Sequence, residues 1–105
     1  MARVVWNEAT AEDLECICES IEERASLETA IRVARNIYEV AEGLAEFAEA
    51  GSIVPDWDRL DIRERLVDNY RIIYQVEQDS VRLLTIIHAA RQLPAEPPQL
   101  SLIHI

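Results

Sequence analysis

Lysine is absent from this chain of 105 residues; its 10 cations are all arginines, set against 20 acids for a formal charge of -10. Clustered positive charge is what draws a protein to nucleic acid, and a field of this sign opposes it. The chain alone is therefore not expected to bind DNA. With only two cysteines, Cys16 and Cys18, a disulfide framework is excluded. They stand two apart in a helical pattern, where side chains diverge, so they should not pair with each other. Without a neighbouring histidine or cysteine cluster they also make a poor zinc site. No metal and no cofactor is expected, and the two thiols read as small apolar groups of a reducing cytoplasm. Apolar runs are short, well under the roughly 18 residues of a membrane span, and no secretory leader is visible. The expectation is a cytoplasmic protein with no membrane partner.

What is present points to one domain. Half the residues are apolar, and a chain of this length buries roughly two thirds of its unfolded surface. The acidity is lopsided: residues 1–50 carry 12 acids and 4 arginines, residues 51–105 carry 8 and 6. Any anionic target has to be met by the second half.

"ARVVW" is a short β-rich run, and Asn7 with Glu8 behind it forms a helix start. Leu14, Ile17, Cys18 and Ile21 follow at i, i+3, i+4 and i+7, the stripe of an amphipathic helix. Acids fill its other faces, including Glu12, Glu15, Glu19 and Glu23; such a run is usually a solvated surface. Ser26 caps a second helix whose stripe is Ala30, Ala34, Ile37, Tyr38, Ala41, Leu44, Ala45 and Ala48, closed by Gly51. Its alanines permit close approach to another backbone. The two segments form an αα-hairpin.

From Gly51 to Leu60 the chain reads as a loop around Pro55 and Trp57. "IRERLV", Ile62–Val67, is a strand candidate closed by the turn pair Asp68-Asn69. "YRIIYQVEQDSVRLLTIIHAAR" then gives two strands about a turn at Gln78-Asp79. That turn sets Val76 against Val81, Tyr74 against Leu83, Ile72 against Thr85 and Tyr70 against Ile87. This face is apolar and should cover the helices. The opposite face, with Gln75, Arg82, Ile73, Leu84, Arg71 and Ile86, is apolar in the middle and cationic at its margins, which suits a partner better than water. Residues 1–94 make the domain and 95–105 a proline-rich tail. "LSLIHI", Leu100–Ile105, resembles the translation of a transposon-end adapter used for sequencing libraries. It is set aside with His104 as a scar.

The order of strand, helix hairpin and three further strands resembles the RelE/ParE toxin superfamily of bacterial type II toxin–antitoxin systems. The opening "ARVVWNEATAEDLECI" carries the likeness, as does Arg63. So does the stretch from Tyr70, which is similar to the ParE-type ending of Tyr-Arg-Ile-x-Tyr, a turn, and a strand closing on His-x-x-Arg. Many relatives have Gly-Pro where Asp68-Asn69 stands, and an apolar residue where Arg65 stands. The resemblance implies an α+β fold: an N-terminal strand, an αα-hairpin, and a three-stranded antiparallel meander completing a four-stranded antiparallel sheet packed on the helices.

It also implies a growth-inhibiting, plasmid-stabilising toxin neutralised by a cognate antitoxin, ParD-like and of the ribbon-helix-helix type. ParE-like members inhibit DNA gyrase by protein contact, with no recognised catalytic set. RelE-like members cut messenger RNA on the ribosome. That cleavage needs a proton carrier and cations for the phosphorane; here His88 or Tyr70, with Arg63, Arg71 and Arg91 converging at one end of the sheet. The absence of lysine and the negative charge favour the gyrase reading, with RNA cleavage as its alternative. A third alternative is a degenerate toxin that keeps only antitoxin binding. Target contact is expected through Arg63, Arg65, Arg71, His88 and above all Arg91. Antitoxin contact is expected through apolar anchors at Ile73, Leu84 and Ile86, with Arg82 and Arg71 meeting acids and Glu12, Glu15, Glu19 and Glu23 meeting basic residues. Against these stand plainer roles: Tyr70 and Tyr74 as core residues, His88 as a hydrogen-bonded strand end, and the arginines as partners of nearby acids.

Overall fold

The computed structural model describes residues 3–95; the tail beyond, with the "LSLIHI" reading and His104, lies outside the described residues. The elements run β1 (Arg3–Val5), α1 (Glu8–Arg24), α2 (Leu27–Gly43), β2 (Ser52–Ile53), β3 (Ile62–Val67), β4 (Tyr70–Val76) and β5 (Ser80–His88). They form an α+β fold with a five-stranded sheet in the order β1-β5-β4-β3-β2. The meander of β3, β4 and β5 is antiparallel. Two details differ from a four-stranded antiparallel sheet. β2 adds a short edge strand from the expected loop, and β1 lies parallel to β5, with Arg3 opposite Ser80. A strand of two residues is too short for any periodicity, and orientation is not written in an isolated run.

Asn7 caps α1, its side chain accepting from Thr10 N at 2.7 Å. Ser26 caps α2 in the same way, accepting from Thr29 N at 3.0 Å. α2 stops at Gly43 rather than continuing to Gly51; turns built on Ala41, Glu42 and Gly43 carbonyls replace its last expected turns. β1 ends opposite Arg82, so the next groups on that edge of β5 need other partners. α1 supplies them. Asn7 Nδ2 and Thr10 Oγ1 donate to Leu83 O at 3.2 and 3.0 Å, and Asp13 Oδ2 accepts from Ile86 N at 3.2 Å and Thr85 Oγ1 at 3.1 Å. The helix is thereby pinned to the end of the sheet.

The β4–β5 register holds at Val76–Val81 and Tyr74–Leu83, then shifts by one. Leu84 is a bulge residue, so Ile72 faces Ile86 and Tyr70 faces His88 instead of Thr85 and Ile87. A bulge puts two residues against one and reverses the alternation beyond it. The slip moves Ile86 onto the helix face, where Tyr70, Ile72, Tyr74, Val81 and Leu83 pack on Val33, Ile37 and Ala41.

The other face is not open. Val54, Trp57 and Ile62 cover Ile73 and Leu84, with Ile87 and Leu93 against them, and Trp57 Nε1 donates to Pro94 O at 2.9 Å. Ile73, Leu84 and Ile86 are all buried, so the expectation that they stand exposed as anchors fails. Period-two alternation cannot separate a face that meets solvent from one that its own loop covers.

Candidate functional site

Tyr70 and Tyr74 lie four residues apart on β4, roughly 13 Å along a strand, and mark the two ends of the sheet. Arg63 pairs with Tyr74, while His88 pairs with Tyr70. The expected convergence of Arg63, Arg71, His88 and Arg91 therefore does not occur. Arg63 turns back to its own loop and donates through Nη1 to Gly51 O at 2.8 Å. Arg71 sits on the opposite face, opposite Ile87, where its Nε donates to Glu64 Oε1 at 2.6 Å and both side chains are largely covered. Arg65 is exposed beside Gly43, Leu44 and Phe47 at the end of α2. Arg82 is engaged by Glu77, its Nε donating to Oε2 at 3.2 Å. Burial pushes the Glu77 carboxyl up, but Ser80 and Arg82 together hold it below its ordinary range. Arg59 and Asp61 form a similar local pair, and Arg59 keeps the Asp61 carboxyl low. Arg71 is thus committed to Glu64 at a largely covered position, and Arg82 to Glu77 at a partly exposed one.

His88 and Arg91 do come together. Both line a cleft of about 310 Å³ between α1 and the end of β5, with Tyr70, Ile17, Ser20 and Arg24. His88 sits edge-on to Tyr70, ring centroids 5.4 Å apart. Its Nδ1 accepts from Ala90 N at 3.1 Å, which leaves Nε2 as the protonated nitrogen of the neutral ring. Arg91 N donates to His88 O at 3.0 Å, so a turn fixes the "HAAR" segment. Asp13, Cys16, Ser20 and Arg24 complete the wall. They fall at i, i+3, i+7 and i+11 on α1, a polar stripe running beside the apolar one.

Tyr74 is a core residue. Its hydroxyl donates to Ala48 O at 2.7 Å and accepts from Gly51 N at 3.0 Å, and burial pushes its pKa up. The Cys18 thiol is pushed up as well, by burial and then by Glu15, Glu19 and Glu22, which disfavours its thiolate. Glu12, Glu15, Glu19 and Glu23 are all exposed along α1. A second surface feature went unread: Trp6 and Tyr38 stack at 5.8 Å beside Ala11 and Leu14, where the helices adjoin β1, and Trp6 Nε1 donates to Glu42 Oε2 at 2.8 Å. Tyr38, expected in the buried stripe of α2, is 52% exposed. Among the described residues no cluster of three or more His, Cys, Asp or Glu is arranged to hold a metal ion, and no helix is long and apolar enough to cross a membrane.

The arrangement is a cation-lipped cleft on an acidic protein, in a fold of known type. Residues 4–93 match the family model described as ParE toxin of type II toxin–antitoxin system, parDE, and the chain belongs to that family. No curated protein sequence matches it. Among solved structures, the chain is similar to one titled "Chromosomal ParDE TA system from P. aeruginosa", at 20% identity and a TM-score of 0.72. That match covers 84% of this chain and 96% of the other.

Proposed function

We propose that this ParE-family toxin arrests growth by protein contact with DNA gyrase and is neutralised by a cognate ribbon-helix-helix antitoxin. The observation that carries the non-enzymatic half is the scatter of its cations. A ribonuclease needs its proton carrier and its phosphorane clamps within reach of one phosphate. Here Arg63 is at the far end of the sheet from His88, and Arg71 is on the other face and bound to Glu64. Of that expected set His88, Tyr70 and Arg91 share a cleft, with Arg24 as a second cation, and the other two expected clamps stand away from it.

Induced expression should make cells filament and raise the DNA-damage response while bulk messenger RNA stays intact. Ribosome-dependent cleavage of transcripts by the purified protein would sink this reading in favour of the nuclease. Antitoxin binding without any growth arrest would leave a degenerate toxin.

Charge gives the antitoxin reading a shape. Like charges across an interface slow encounter, so the wrapping segment carries arginine or lysine against Glu12, Glu15, Glu19 and Glu23. With Ile73, Leu84 and Ile86 buried, its apolar anchors go to the groove of Trp6, Leu14 and Tyr38. Affinity should fall as salt rises, chiefly through the on-rate, because exposed charges are screened beyond about 10 Å at 0.1 M. Titration of the antitoxin at low and high salt checks this; a salt-independent affinity would mean that the acidic helix is only solvated.

A further inference from the structure

Two arginines from different elements, Arg24 at the end of α1 and Arg91 just after β5, line one cleft with His88. Neither forms an ion pair with a described residue, whereas Arg32, Arg59, Arg71 and Arg82 each do. Arg24 Nε donates to Ser20 O at 3.4 Å, which steers the side chain along the helix and leaves both terminal amino groups for a ligand. The acid in the cleft, Asp13, keeps its charge but forms no ion pair with either arginine; its Oδ2 accepts from Thr85 Oγ1 and Ile86 N. The lining they share is mixed, with Ile17, Ile86 and Ile87 beside the polar Cys16 and Ser20. Two guanidiniums in a cleft that also offers isoleucine side chains match a group with one negative end and a short apolar neighbour, since guanidinium takes a carboxylate in a bidentate fork.

The surroundings choose among anions. Glu12, Glu19 and Glu23 project along the helix face next to the stripe of Ser20 and Arg24, and the whole chain carries -10. A polyanion would bring further charges into that field; a single carboxylate brings one, and basic neighbours beside it would meet the glutamates. We propose that the cleft is a receptor for one aspartate or glutamate side chain of the partner protein, set next to an apolar residue in an otherwise basic segment. This rests on the reading that an antitoxin segment wraps the chain. It also supplies an acid contact with arginines that no described acid already pairs, unlike Arg71 and Arg82.

The test has two arms. Full-length toxin is titrated with N-acetyl-leucyl-aspartate amide, followed by NMR, with the asparagine analogue and inorganic phosphate in parallel. Saturable shifts at Ser20, Arg24, Ala90 and Arg91 are expected for the aspartate probe and not for its analogue. In the second arm the cognate antitoxin is measured against wild type and against the double variant Arg24→Gln, Arg91→Gln. Both positions are exposed, so an unchanged spectrum elsewhere certifies the fold. Affinity is expected to fall about tenfold, and Arg91→Lys to restore part of the loss left by Arg91→Gln alone. Equal shifts from the asparagine analogue, tighter binding of phosphate, or an antitoxin that holds the double variant as firmly as wild type would each overturn the proposal. The last result leaves the antitoxin reading intact; an antitoxin that ignores even the wild type ends that reading, while the probe titration still reports on the cleft.

Discussion

Gly51→Ala is expected to lower the stability of this protein by about 3 kcal/mol or more, through overpacking and the hydrogen bonds it would break. A Cβ at this position would run into the backbone carbonyl of Glu64 and the hydroxyl of Tyr74. Neither can retreat easily. Glu64 is paired on both sides, with Ser52 of β2 and Ile73 of β4. The Tyr74 hydroxyl is the shared partner of Ala48 O and Gly51 N. The added methyl therefore pushes β3 away or breaks the tether that joins the end of the helical layer to the sheet. Against a total stability of about 5–15 kcal/mol for a domain of this kind, the urea midpoint should drop far enough to see in one unfolding curve. Gly43→Ala is the control, since a Cβ there meets nothing; a helix-terminal glycine replaced by alanine should be neutral or mildly stabilising. Equal effects at the two glycines would show that the close approach at Gly51 is easily relieved.

Tyr74 supplies the second large effect. Tyr74→Ala empties the centre of the core and should cost about 3–5 kcal/mol. Tyr74→Phe keeps the ring and removes only the tether, leaving Gly51 N–H and Ala48 C=O without it, for about 1–3 kcal/mol. The two variants separate packing from hydrogen bonding. The hydroxyl also writes a signature in pH. Burial raises its folded pKa above the ordinary 10.0, so the folded state holds the proton more tightly than the unfolded chain. That contribution is fully present below about pH 10 and is lost as pH rises through the folded value. Wild-type stability should decline on the alkaline side more steeply than that of Tyr74→Phe. Parallel pH profiles would show that the phenol does not set this limb.

Much of the scaffold was legible in the sequence because local chemistry wrote it. Asn7 and Ser26 are caps whose side chains close the first turns, and the Gln78-Asp79 turn fixed the first two pairs of the last hairpin. The bulge at Leu84 was not legible, since one extra residue leaves the hydrophobic pattern nearly intact while reversing which side it faces. Its effect on the site was large: it moved Ile86 inward and placed His88 against Tyr70. The cover over Ile73 and Leu84 was hidden for a different reason. Val54 and Trp57 sit in a segment with no period, and only tertiary contact reveals what they shield. His88 and Arg91 were found as candidates from the closing motif. Arg24 was missed because it stands far away in the chain and looked like a simple helix-end cation.

The position of β5 between β1 and β4 carries a consequence for synthesis. β5 emerges after the other four described strands, yet it lies inside the sheet, and it is the one that β1 and α1 need. Until residues 80–88 emerge, Val4 and Val5 have no ladder, Thr10 and Asp13 have no carbonyl or amide to hold, and β4 presents a bare edge. Pairing Arg3–Val5 with Ser80–Arg82 closes a loop over most of the domain, a step that comes late when contacts are non-local. A nascent chain thus cannot assemble the cleft piecemeal; the "HAAR" segment is translated after everything it will be measured against.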